Sequence, residues 1–147
     1  MMRYRFVDEV LGLDLGARPR IEVAKTFAPG DDLLSGPLGG SRVPSSLLLE
    51  LLAMTGGHLA FRHGGGRRLP LLVKVAECRF DGVVRAGERV RAVATLAATS
   101  PITDEPGMAE ANGEVFVGGE RLAAGRLLYL CVKVPGVDLM AFEPRES

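Results

Sequence analysis

The order of elements written into this sequence predicts an α+β domain, in which an antiparallel sheet of about six strands wraps around one central helix. Three observations carry that expectation. Two strand-like segments precede a single strong helical segment and four more follow it. The helical segment is apolar on nearly every side, and a helix of that kind in a small domain must be enclosed. Finally, 147 residues suffice for one hydrophobic core and leave no room for a second. Residues 1–147 therefore read as one domain, with a peripheral tail over 135–147.

Residues 5–14 read as extended and end in the turn cluster Gly16-Ala17-Arg18-Pro19. Ile21 to Phe27 alternates apolar and polar side chains at period two, the pattern of a strand with one buried face, and pairs back on the first as a hairpin. Residues 29–41 are too rich in glycine and proline for a regular element, yet Leu33, Leu34 and Leu38 mark a packed loop. After Pro44, Ser45 or Ser46 can cap a helix built on Leu47 to Met54. Thr55 to Phe61 can continue it past Gly56 and Gly57 at some cost in propensity, and the basic segment His63 to Arg68 ends it. Strands are then expected over Leu71–Phe80, Glu88–Ala97, Ala109–Val117 and Arg121–Val134, the last two joined by the Gly118-Gly119 turn. A six-stranded sheet around one helix leaves part of that helix uncovered, so a dimer is expected.

Composition excludes several functions. Eighteen basic residues balance eighteen acidic ones, so the chain lacks the positive field that dominates nucleic-acid binding. Hydrophobic content of 47% against 24% charged residues is enough to offset the entropy of ordering the chain. The long apolar run Leu47 to Met54 contains a glutamate and falls far short of the roughly 20 residues a bilayer needs. Asp8 and Glu9 interrupt the N-terminal segment before a signal sequence can form, which places the chain in the cytoplasm. Cys78 and Cys131 lie in apolar strand-like runs without a CxxC or Cys/His cluster and read as small buried hydrophobes. Neither a metal nor a cofactor is expected.

Glu50 interrupts the apolar helix, with three leucines before it and Leu51, Leu52, Ala53 and Met54 after it. One reading makes it the solvent-facing position of the helix. In the other, helical spacing sets Ser46, Ala53, Met54 and Gly57 beside it, a face of mostly small side chains that suits a seam or cleft. A carboxyl held there, desolvated and unpaired, would become a usable general acid or base.

Several segments together resemble the 3-hydroxyacyl-ACP dehydratases of fatty-acid synthesis, which have the hotdog fold. The central helix of that family is similar to Pro44-Ser45-Ser46-Leu47-Leu48-Leu49-Glu50-Leu51-Leu52-Ala53-Met54, followed by Gly57 and Leu59-Ala60, without a gap. Cys78-Arg79-Phe80, Val83-Val84 and Ala86-Gly87-Glu88 resemble the family's next motif. Tyr4 to Val10 matches its opening pattern, and Val117 to Glu120 with Leu127-Leu128-Tyr129 its closing hairpin. The resemblance implies that Glu50 protonates the departing 3-hydroxyl and that a backbone N–H at Ser45 or Ser46 polarises the thioester carbonyl. It further implies an acyl tunnel lined by Leu47, Leu51, Phe80 and Val84. The family's catalytic histidine stands fourteen residues ahead of the glutamate, where this chain has Gly36. His58 and His63 read as a packing residue and a surface residue. Arg42, Arg67, Arg68 and Arg85 are candidates for the docking face of an acidic carrier.

Three functions follow as expectations. The first is a divergent dehydratase-like protein that binds acyl thioesters of acyl carrier protein or CoA, with elimination impaired by the missing histidine. The second is a hotdog thioesterase using Glu50 as base or nucleophile. The third is a noncatalytic subunit paired with an active homologue. In each, the partner is an acyl carrier protein or CoA thioester and the assembly a homodimer or larger oligomer, without nucleic acid or a membrane span.

Overall fold

The computed structural model describes residues 7–29, 42–101 and 103–134. Strands β1 (Glu9–Asp14) and β2 (Arg20–Thr26) come first, then helix α1 (Ser45–His63). Strands β3 (Leu69–Phe80), β4 (Arg89–Thr99), β5 (Gly107–Val117) and β6 (Glu120–Val132) follow it. All six strands form one sheet in the order β1-β2-β4-β5-β6-β3, antiparallel at every junction. The expected α+β arrangement is thus observed. The strand that leaves the helix is sent to the far edge of the sheet, which becomes important at the site.

Period-two alternation decides which face meets the helix. Along β5, Gly107, Ala109, Ala111, Gly113 and Val115 are buried, whereas the residues between them are half-buried or exposed. The inward residues are small because α1 lies directly on them: a Cβ on Gly113 would come within 2.8 Å of Leu52 Cδ2. Leu48, Leu51, Leu52 and Leu59 supply the helix side of the core, against Ile21, Val23, Val90, Ala94, Leu127 and Tyr129. Each such leucine contributes about 1.5–3 kcal/mol through burial.

The glycine pair inside α1 does not end the helix, and Tyr129 on β6 explains why. Its hydroxyl donates to the Ala53 carbonyl at 2.7 Å, and the Gly57 N–H donates to the hydroxyl oxygen. A Cβ on Gly56 would lie 2.6 Å from that hydroxyl and 3.3 Å from Ala111 Cβ. Glycine costs about 1 kcal/mol of helix propensity relative to alanine, while forcing extra volume into a packed core costs about 1–3 kcal/mol. Gly56→Ala is therefore expected to lower stability by about 1 kcal/mol although it improves the helix, as measured by denaturant midpoint.

Burial pushes the Tyr129 phenol well above its ordinary value of 10.0. Below that value both folded and unfolded chains keep the proton, and the contribution of this group to stability is complete. Above it the unfolded chain ionises first, so stability falls as pH rises. Absorbance titration of the native protein at pH 11 is expected to show at most one of the two tyrosines ionised, with the second appearing only on unfolding.

Several boundaries differ from the sequence expectation. Neither serine caps α1; Pro44 occupies the cap with φ −59 and ψ 145 and no side-chain cap hydrogen bond. The first turn is closed by Leu47 N–H donating to the Pro44 carbonyl. β3 begins at Leu69 and takes in Pro70, which an edge strand tolerates because it lacks a partner on one side. The regular part of β1 starts at Glu9, since the Asp8 carboxylate accepts the Thr26 N–H at 2.6 Å. Gly118 turns at φ 59 between β5 and β6, as its hairpin requires. Cys78 and Cys131 are free thiols and half-buried, less enclosed than expected. The loop leucines Leu33, Leu34 and Leu38, Gly36 and the 135–147 tail lie outside the described residues.

Candidate functional site

Helix α1 has one deeply buried side and one open side. Ser46 and Glu50 are exposed, while Ala53, Met54 and Gly57 are half-buried, so the stripe expected beside Glu50 is the uncovered flank of the helix. That flank is turned toward β3. The Cβ position of Gly57 lies 3.4 Å from the Tyr129 ring and 4.0 Å from Pro70 Cγ. From Pro70, β3 runs back toward the helix N-terminus.

Among the described strands β3 hydrogen-bonds β6 alone, and its other side is the edge of the sheet. Leu71, Leu72 and Val73 on it are 43%, 41% and 54% exposed. Leu72 stands opposite Tyr129, hence on the inner face, and the register shifts between Leu72 and Lys74, leaving Val73 as a bulge. Open helix flank and apolar edge meet at Gly57 and Pro70.

A desolvated setting for Glu50 is not produced by one chain: the residue is exposed. The physical reason is topological. β3 is the last strand on that side of the sheet, and among the described residues no element reaches over the Glu50 flank.

At the helix N-terminus, Ser45 and Ser46 are exposed and Leu47 is half-buried against the core. The Val43 N–H donates to the Val84 carbonyl at 2.9 Å, and Arg42 and Arg85 form an isolated bridge. These contacts hold the segment after β3 against the helix entrance. Val84 and Leu51 are fully buried core, whereas Phe80, opposite Ala123 on the inner face, is 39% exposed. The candidate residues Ser45, Ser46, Leu47, Phe80 and Val84 thus gather at one end of the molecule. Gly36 lies outside the described residues.

His58 is buried within α1, about 12 Å along the axis from Glu50. His63 is exposed at the last turn, about 20 Å away. The four arginines considered as one docking face are divided: Arg42 and Arg85 stand at the helix entrance, Arg67 and Arg68 beyond its other end, with 19 residues of helix between them. The 1.5 Å rise per residue separates the two pairs by more than 25 Å. Among the described residues, no group of three or more His, Cys, Asp or Glu could hold a metal ion. No described helix is long and apolar enough to cross a membrane.

Sequence reasoning passed over Lys25. It occupies an inward position of β2, opposite Val90, where alternation sets it in line with Ile21 and Val23. It is buried, lies 3.4 Å from the Asp8 carboxylate, and stands 5.5 Å from the centre of the Phe27 ring. A lysine in the apolar phase of an alternating strand was the signal available.

No family model matches the sequence, and no curated protein resembles it closely enough to assign one. Solved structures do share its fold. The dehydratase heterocomplex ApeI:P from Xenorhabdus doucetiae aligns with TM-score 0.69 and 16% identity over 94% of this chain and 88% of that one. A Streptococcus mutans protein solved bound to acetyl CoA gives TM-score 0.65 and 8% identity, covering 85% and 88% of the two chains. Zebra fish thioesterase superfamily member 2 gives 0.61 and 14%, covering 83% and 79%. The chain is a hotdog-fold protein. At these identities the likeness is one of architecture.

Proposed function

We propose that this chain binds acyl thioesters of acyl carrier protein or CoA as a divergent dehydratase-like protein, with Glu50 as its acid–base group. The observation that carries this reading is the place of Glu50: an exposed carboxylate on the open flank of a helix whose other side is buried. Ser45 opens the helix about 7 Å along the axis from Glu50. Backbone N–H groups and the positive end of the helix dipole there suit a thioester carbonyl. One substrate can therefore engage both. Bound CoA in the Streptococcus mutans structure and the dehydratase complex support the substrate class.

In this reading a homodimer forms across the β3 edges and encloses Glu50, supplying the low-dielectric setting that one chain lacks. Dehydration needs a base for the α-proton and an acid for the departing 3-hydroxyl. Glu50 serves the second role. With Gly36 at the position of the family's histidine, elimination is slower by about 10²–10⁴.

Hydrolysis is the second reading, favoured by the distance of both described histidines from Glu50. A single carboxylate can activate water against a thioester without one. The deciding experiment incubates the purified protein with 3-hydroxyacyl-CoA and 3-hydroxyacyl carrier thioesters. Enoyl absorbance supports the dehydratase-like reading, and release of free thiol supports the hydrolase. Enoyl formation only after a histidine-bearing homologue is added identifies a noncatalytic subunit, the arrangement for which a heterocomplex of this fold is the structural parallel. No product and no thioester binding in any arm defeats the proposal.

A further inference from the structure

A basic cavity of about 240 Å³ lies at the end of α1 away from Glu50, where the helix C-terminus meets the end of β4, the start of β5 and the end of β6. His63, Arg67, Arg68 and Lys133 line it together with Thr99 and Ser100, and among the described residues no acidic side chain does. It is separated from Glu50 by about 20 Å of helix.

Cations after a helix commonly answer the negative end of its dipole. That explains Arg62 and His63 in the last turn. It does not explain Arg67, Arg68 and Lys133, which lie past the helix on two different segments. The negative end is moreover already answered: Gly64 and Gly66 donate their N–H groups to the carbonyls of Ala60 and Phe61.

Arg68 is held in place. Its side chain is 15% exposed and its Nε stands 3.5 Å from Glu105 Oε2. A Cβ at Gly107 would come within 2.5 Å of its terminal nitrogen, so glycine there admits the guanidinium. Glu105 also accepts the Lys133 N–H at 3.3 Å. Leaving Arg68 with its partner, the lining still holds Arg67 and Lys133, and among the described residues no carboxylate is paired with either side chain. Ser100 Oγ accepts the Met108 N–H at 2.8 Å, which leaves its own proton available to donate.

We infer that this cavity binds a phosphate-type oxyanion, either free or carried on a larger molecule such as a nucleotide. Guanidinium groups match tetrahedral oxyanions through paired N–H donors, and lysine adds a point charge. The inference does not depend on the role of Glu50.

Cys131 lines the same cavity and reports on its occupancy. Cys78 packs near Leu52 and Gly125 on the inner face and serves as the internal control. Purified protein is titrated with inorganic phosphate, and in a second arm with AMP, at constant ionic strength. Alkylation of each thiol is followed by mass spectrometry at alkaline pH, because burial pushes the Cys131 thiol up. The expected result is saturable slowing at Cys131, at least about threefold, with none at Cys78. Arg67→Ala and Lys133→Ala should each weaken the response about tenfold, the loss of one charge-assisted hydrogen bond, with an unchanged melting temperature. Glu50→Gln should leave it intact. A stronger response to AMP identifies a nucleotide-type ligand, and equal responses identify the ion itself. Slowing reproduced by sodium chloride alone, or a variant lacking both cations that responds like the parent, overturns the inference.

Discussion

Glu50→Gln is expected to reduce turnover of acyl thioesters by about 10²–10⁴, the range that a positioned proton-transfer group contributes. Glutamine keeps the size and the hydrogen-bonding reach of the side chain but neither accepts nor releases a proton in the working range. Because Glu50 is exposed on the single chain, the same change should move folding stability by no more than about 0.5 kcal/mol. The two halves of this prediction separate chemistry from structure. Initial rates with saturating thioester, set beside a denaturant melt, measure both. If the variant turns over at the parental rate, Glu50 is only the solvated position of the helix.

Leu72→Lys is expected to convert a dimer to a monomer and to abolish activity with it. Leu72 is 41% exposed on the inner face of the edge strand, so a single chain accommodates lysine there without disturbing its core. In a two-fold assembly each substitution counts twice, and two ammonium groups are brought into one apolar seam. Leaving a charge buried without a partner costs about 3–5 kcal/mol, a weakening of at least 100-fold in association. Light scattering behind size-exclusion chromatography at micromolar protein reads the mass directly. A mass of two chains for the lysine variant would show that association uses another surface.

Most of the architecture was legible because it rests on local periodicity. The alternation from Ile21 to Phe27 and the apolar run around Glu50 each reflect one face buried and one not. All six strands and the helix were read from such patterns, with ends displaced by at most four residues. The displacements have physical causes. Pro44 forms the helix cap in place of the serines after it, and the Gly56-Gly57 pair stays helical because Tyr129, more than seventy residues later, closes over it.

The candidate site was legible in part. Ser46, Ala53, Met54 and Gly57 could be placed beside Glu50 from the 3.6-residue period alone, and the structure arranges them so. That the four arginines divide between two ends of the helix could not be read, because it depends on where the segments after β3 and after α1 return in space. The same is true of the basic cavity, which joins residues from 60 to 133.

By itself, then, the sequence determined the class of fold and the face on which Glu50 lies, since both are properties of neighbouring residues. Only the tertiary structure decided how enclosed that carboxylate is. Sending β3 to the sheet edge leaves the Glu50 flank uncovered among the described residues, and strand order arises from pairings between distant segments, which no local pattern encodes.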